Sequence, residues 1–132
     1  MRSKETLLRL HRFHVEEKRR QVSDIEMMMT DFRRKQDDLD QQIAYEEHKT
    51  GVSDPSHFNY SMTAKSIRKR RENLLATVSD LQSQLDRANA ALSEEESELR
   101  KVELLAEKDA SHRHDIKLIG RPAEQVMARA KH

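Results

Sequence analysis

"KTGVSDPSHFNYSMTAKS", from Lys49 to Ser66, is unlike the chain on either side of it. The flanks are charged, helix-forming and almost free of glycine and proline. Within the stretch, Gly51 and Pro55 fall close together, accompanied by Ser53, Asp54, Phe58, Asn59 and Tyr60. Gly51 suits the left-handed position that ends a helix. Asp54-Pro55 has the form of an N-cap followed by proline at a first helical position, enough for one short turn. Ser61 or Thr63 can then cap a second helix. The stretch is a corner, and the flanks say what it joins.

Upstream, Leu8, Val15, Val22, Met29 and Ile43 repeat at multiples of seven, with Gln36 the polar member of the row. Ile25, Phe32 and Leu39 recur three residues after members of that row, and His11 and Lys18 hold the same slots nearer the N-terminus. Together these are the a and d positions of a heptad seam. Downstream, Leu74, Val78, Leu81, Leu85, Ala88, Leu92, Leu99, Val102 and Ala106 follow steps of four and three, with Ile67 one heptad earlier and Glu95 interrupting. A lone helix of this kind would leave its seam in water, so each needs a partner.

The predicted fold is therefore all-α, two long helices forming an antiparallel coiled-coil hairpin. The helices cover about 3–49 and 63–110 around a corner at 50–62. In this register Ile43 falls near Lys69 and Leu8 near Leu104, with Phe58 and Tyr60 covering the closed end. A parallel dimer with a kink is the alternative arrangement of the same seams. Residues 111–132 are expected to form a C-terminal tail, frayed or partly helical. Gly120 and Pro122 break or kink a helix there, and a restarted one would have Val126 and Met127 as its sizeable apolar residues.

Composition agrees with a thin seam. Of 132 residues, 37% are charged and 4% aromatic, with no tryptophan, too little bulk for a thick core and enough length for one domain. The same composition describes disordered chains, but disorder would not keep heptads in register for so long. Basic and acidic residues number 25 and 24, so no global field draws the chain to nucleic acid or membrane. No cysteine is present, which removes disulfides and thiolate chemistry. The N-terminal "MRSKETLLRLHRFHVEEKRR" lacks the apolar centre of a signal peptide, and no segment approaches the ~18 apolar residues of a membrane span. A cytoplasmic location fits.

No catalytic constellation, glycine-rich phosphate loop or paired-cysteine metal motif occurs, so no catalytic or cofactor-binding residue is assigned. His11 and His14 share a helical face at a spacing that can hold a metal, and His112 and His114 flank Arg113. No thiolate or further histidine nearby completes either pair, so solvated or seam-edge roles are expected and no metal site is assigned. Met27 to Met29 are expected to pack in the seam. The basic blocks Glu17–Arg20, Arg33–Lys35 and Arg68–Arg71, like the acidic Asp37–Asp40 and Glu94–Glu98, run round the helix and form no single stripe. The antiparallel register sets Glu94–Glu98 alongside Lys18–Arg20, and Arg68–Arg71 near Asp40 to Ile43, which favours that alignment. Nucleic-acid binding would use unopposed basic patches or stacking aromatics, and neither is evident.

Several segments carry a resemblance beyond the heptads. "LLRLHRFHVEEKRRQVSDIEMM", the corner "GVSDPSHFNY", "RRENLLATVSDLQSQLDRANAAL" and "ELRKVELLAEKD" together resemble the FliJ family of bacterial flagellar export proteins, in its short alphaproteobacterial form. The likeness spans about Arg2 to Asp109, in order. It implies an antiparallel coiled coil similar to the central stalk of rotary ATP synthases. Such a stalk inserts into the hexameric ring of the flagellar type III export ATPase, promotes its assembly, links it to the export gate protein FlhA, and is also described as an escort for export chaperones. The implied protein has no enzymatic activity and no cofactor, and works at the cytoplasmic face of the inner membrane. Under that resemblance the open end would enter the ring, with Arg2, Lys4, Arg9, Arg12, Arg100 and Lys101 as contacts. The gate would meet the hairpin near Phe58, Tyr60, Arg68, Arg70 and Arg71. A stalk of a virulence-type secretion system, a homodimeric coiled-coil scaffold or adaptor, and a nucleic-acid-binding hairpin are the competing readings.

Overall fold

A computed structural model describes the backbone of residues 2–130 and the side chains of residues 3–114. Two helices, α1 (Arg2–Thr50) and α2 (Met62–Ala130), form an antiparallel helical hairpin, and no strand occurs among the described residues. None of the described helices is long and apolar enough to cross a membrane.

The corner follows the chemistry of its residues. Gly51 takes φ of 74° and its N–H donates to the Glu47 carbonyl at 2.9 Å, closing α1 with a left-handed cap. Asp54 organises the next turn. Its Oδ1 accepts from the Ser56 N–H at 3.0 Å and from the Ser56 hydroxyl at 2.7 Å, while its carbonyl accepts from the His57 N–H at 3.0 Å. Both Ser56 hydrogen bonds hold the Asp54 carboxyl below its ordinary pKa. Of the two possible caps for α2, Ser61 serves: its Oγ accepts from the Ala64 N–H at 3.1 Å and its carbonyl accepts the first helical bond, from the Lys65 N–H.

The chain divides into two compact units. The closed-end unit is Lys18–Ala91. Its centre is Leu39, Ile43 and Ile67, with Leu74 packed against them, and Val22, Met29 and Leu81 are buried in the same unit. Ala64 is fully buried, so only a small side chain fits at that point of α2. The Arg71 guanidinium pairs with Asp40, and Arg68 Nη2 donates to Glu47 Oε1 at 3.0 Å, both across the two helices. That is the register expected from the basic block at Arg68–Arg71.

Two expectations for this unit need correcting. Tyr60 is buried and covers the corner as expected, but Phe58 is 89% exposed and stacks only on His57, at 4.8 Å between ring centroids. A loop residue answers to no heptad, and the two turns around His57 direct Phe58 outward. Of the three methionines, only Met29 is in the seam, while Met27 and Met28 are exposed. Consecutive helical residues lie about 100° apart, so at most one of three can point squarely at a narrow seam.

The open-end unit is Met1–Glu17 with Leu92–His132. Val15 and Val102 are its buried apolar residues, with Leu8, Leu92, Leu99 and Ala106 partly buried. Lys4 Nζ meets Asp109 Oδ2 at 2.8 Å across the helices, and Leu8, Ala106 and Ala110 line one cleft, close to the pairing of Leu8 with Leu104 that the seams predict. The backbone of α2 continues helical through Gly120 and Pro122 to Ala130, so of the expected break or kink there is no break. One proline deletes a single backbone bond, and a helix can pass it. The side chains of Val126 and Met127 lie outside the described residues.

Candidate functional site

The apolar residues assigned to heptad positions are buried or partly buried: Leu8, Val15, Val22, Ile25, Met29, Phe32, Leu39, Ile43, Leu74, Val78, Leu81, Leu85, Leu92, Leu99 and Val102. The seam is therefore structural, and sites for partners have to lie on what remains outside it.

On the closed-end unit, the five residues nominated as a contact surface separate into two groups. Tyr60 is 7% exposed, and its phenolic oxygen accepts from Arg68 Nε at 2.7 Å, with the Arg68 guanidinium 5.7 Å from the ring centroid. The Tyr60 and Glu47 hydrogen bonds raise the Arg68 pKa above its ordinary value. Arg71 is held by Asp40. These three brace the corner. Phe58 and Arg70 are exposed, and Arg70 makes no ion pair among the described residues.

On the open-end unit the nominated cations also differ among themselves. Arg9, Arg12 and Arg100 are exposed and form no ion pair among the described residues. Lys4 is engaged by Asp109, and Lys101 pairs with Glu98 one helical turn away at 3.2 Å. The Asp109 carboxyl is held below its ordinary pKa, chiefly by Lys4 and then by Arg113, whose Nη2 lies 3.3 Å from it. The side chain of Arg2 lies outside the described residues.

Two features of this unit become visible only once the helices are paired. The first is apolar. Leu7, Leu10 and Phe13 on α1 and Leu104 and Leu105 on α2 are exposed, Phe13 by 64% and Leu104 by 58%. The three-residue steps from Leu7 to Phe13 put them on one side of α1, away from Val15. They were legible as apolar residues outside the heptad slots, a signal that the search for seams discards.

The second is polar. His11 and Glu95 stand in seam slots, and His14 lies one turn along from His11. His11 Nδ1 and His14 Nδ1 are each 3.9 Å from Glu95 Oε2. His11 Nδ1 and Glu95 Oε2 are shielded from solvent and have no hydrogen-bond partner among the described residues. Both histidines are conspicuous in the sequence, but their third neighbour is distant in the chain. Glu95 arrives from the other helix, and its interruption of an apolar row was the available clue.

Fold and surfaces together define a two-helix hairpin with a braced corner at one end and exposed apolar and cationic groups in its open-end unit. No family model matches the chain, and neither does any curated protein or solved structure.

Proposed function

We infer that this protein is a non-enzymatic stalk and coupling component of a flagellar type III protein export apparatus. Its open-end unit enters the export ATPase hexamer and promotes ring assembly and activity. The closed-end unit reaches the export gate protein FlhA through Phe58 and Arg70. Export chaperones are further partners, and the place of work is the cytoplasmic face of the inner membrane. The reading rests on the sequence resemblance and on a fold of the kind that resemblance implies.

The observation that carries it furthest is the outward apolar exposure on both helices of the open-end unit. It lies beside Arg9, Arg12 and Arg100, which have no ion pair among the described residues. Phe13 and Leu10 lie outside the seam on α1, and Leu104 and Leu105 outside it on α2. Apolar side chains left in water on two helices lose the gain of burial, about 25 cal/mol per Å². A partner that touches both helices, such as a ring lumen, recovers it on both.

The test is ATP hydrolysis and light scattering of the cognate export ATPase with and without the protein. Stimulation and hexamer formation are expected, and Phe13→Ser with Leu104→Ser should abolish both while the hairpin melts within about 0.5 kcal/mol of the parent. Lack of stimulation by the folded parent protein would remove the stalk role. The same exposed side chains favour one second reading, a homodimeric scaffold, for which scattering of the protein alone would give a dimer mass that the double variant reduces to a monomer.

A further inference from the structure

We propose that His11, His14 and Glu95 form a binding site for a divalent transition metal of the Zn²⁺ class, which clamps α1 to α2 within the open-end unit. The proposal is independent of the export reading, because it rests on the donor atoms alone. Two imidazole nitrogens and one carboxylate oxygen, all from described side chains, lie within 4.8 Å of one another. They are the side chains that zinc takes when a fourth position is left to water.

The geometry is close to that of a loaded site. Ligand atoms on one tetrahedral zinc, at ~2.0–2.1 Å from the ion, stand ~3.3 Å apart. The two Nδ1–Oε2 separations are 3.9 Å and every separation in the cluster is within 4.8 Å, so side-chain rotations would have to draw the three atoms in around an ion. The same separations are too long for direct hydrogen bonds, which for N–H···O lie near 2.7–3.2 Å. Left alone, His11 Nδ1 and Glu95 Oε2 are therefore shielded from water with nothing to bond, an arrangement that costs stability.

Three kinds of guest could relieve them. A proton on either histidine still leaves the 3.9 Å gap to Glu95. A water could donate to both orphaned atoms, His11 Nδ1 and Glu95 Oε2, but it would leave the carboxylate charge unbalanced. A metal cation satisfies all three donor atoms at once, and its charge offsets that of the half-buried Glu95, whose side chain is 28% exposed. Placement in the seam adds a mechanical consequence. Two donors belong to α1 and one to α2, so binding ties the helices together and release frees them.

The experiment uses the full chain without a histidine tag, titrated with ZnCl₂ by calorimetry and with CoCl₂ by visible absorption at neutral pH. One equivalent of Zn²⁺ is expected to bind and to raise the melting temperature, an effect that EDTA reverses. His11→Ala, His14→Ala and Glu95→Gln should each weaken binding by more than the roughly 10–100-fold that loss of an outer-shell partner costs a metal site. His112→Ala with His114→Ala should leave binding unchanged. Ring-proton NMR of the unmutated protein serves as a check that needs no variant, with the His11 and His14 signals expected to shift together on adding Zn²⁺. Absence of Zn²⁺ binding, or binding that moves other histidines and disappears in the His112, His114 variant, would overturn the site.

Discussion

The two units are built from the same helices and the same heptads, yet they differ in how they treat the polar groups inside their seams. In the closed-end unit the polar groups that cross the seam are matched: Arg68 serves Tyr60 and Glu47, Arg71 serves Asp40, and three aliphatic residues close the core above them. In the open-end unit a carboxylate and an imidazole sit unmatched in the seam, whereas exposed apolar side chains occur in both units, Met27, Met28 and Phe58 in one and Leu10, Phe13 and Leu104 in the other. One end satisfies its own chemistry, and the other leaves chemistry to be satisfied by something else. The contrast teaches that a coiled coil's stability and its capacity to bind can be separated along the same pair of helices, because each heptad is settled locally.

The contrast breaks most visibly in the core. Ile67→Ala removes the α2 member of the Leu39–Ile43–Ile67 cluster and should cost about 2–4 kcal/mol in denaturant melts, as Ile→Ala changes in cores do. An effect well under 1 kcal/mol would mean that the closed-end unit is no better packed than the other. Next in size is the cap. Ser61→Ala leaves the Ala64 N–H without its acceptor and should cost about 1 kcal/mol, with Ser61→Asp close to neutral.

The smallest effect is the one at Asp109. Its folded pKa lies below its unfolded value, near 3.9, so the pairing with Lys4 and Arg113 is complete above that value and is lost as pH falls through the folded one. A carbon-detected NMR titration should give Asp109 a midpoint below that of Asp109 in an unfolded peptide. A midpoint at or above the peptide value would show that Lys4 does not hold it.

Much of this was legible in the residues. Gly51, Asp54 and Ser61 each have a side chain, or lack one, that suits a single backbone job, and each does that job. The seam was legible because burial on a helix repeats, and repetition survives the loss of any single member, such as Gln36 or His11. What escaped were features that periodicity cannot address. Phe58 sits in a turn, where direction depends on local hydrogen bonds rather than on heptad phase. The third donor of the polar cluster depends on register to within one helical turn, finer than matching apolar rows can resolve. Leu10 and Phe13 fall outside the heptad slots, and Leu104, placed near Leu8 by the register, turns out 58% exposed, because apolar rows fix the height of a residue on the helix better than its direction.

The corner also sets the order in which the chain can assemble. Glu47 and Arg68 are only 21 residues apart, whereas Lys4 and Asp109 are separated by most of the hairpin. Closing the larger loop first would cost about 1.4 kcal/mol more in chain entropy. Zippering outward from Gly51 and Ser61 replaces that single long closure with a series of short ones, each seeded by the turn before it. Stopped-flow kinetics should then find Ser61→Ala slowing folding and Val102→Ala mainly hastening unfolding. The last heptads to close in such a zipper are the first to reopen, and they are the ones that carry the unmet side chains.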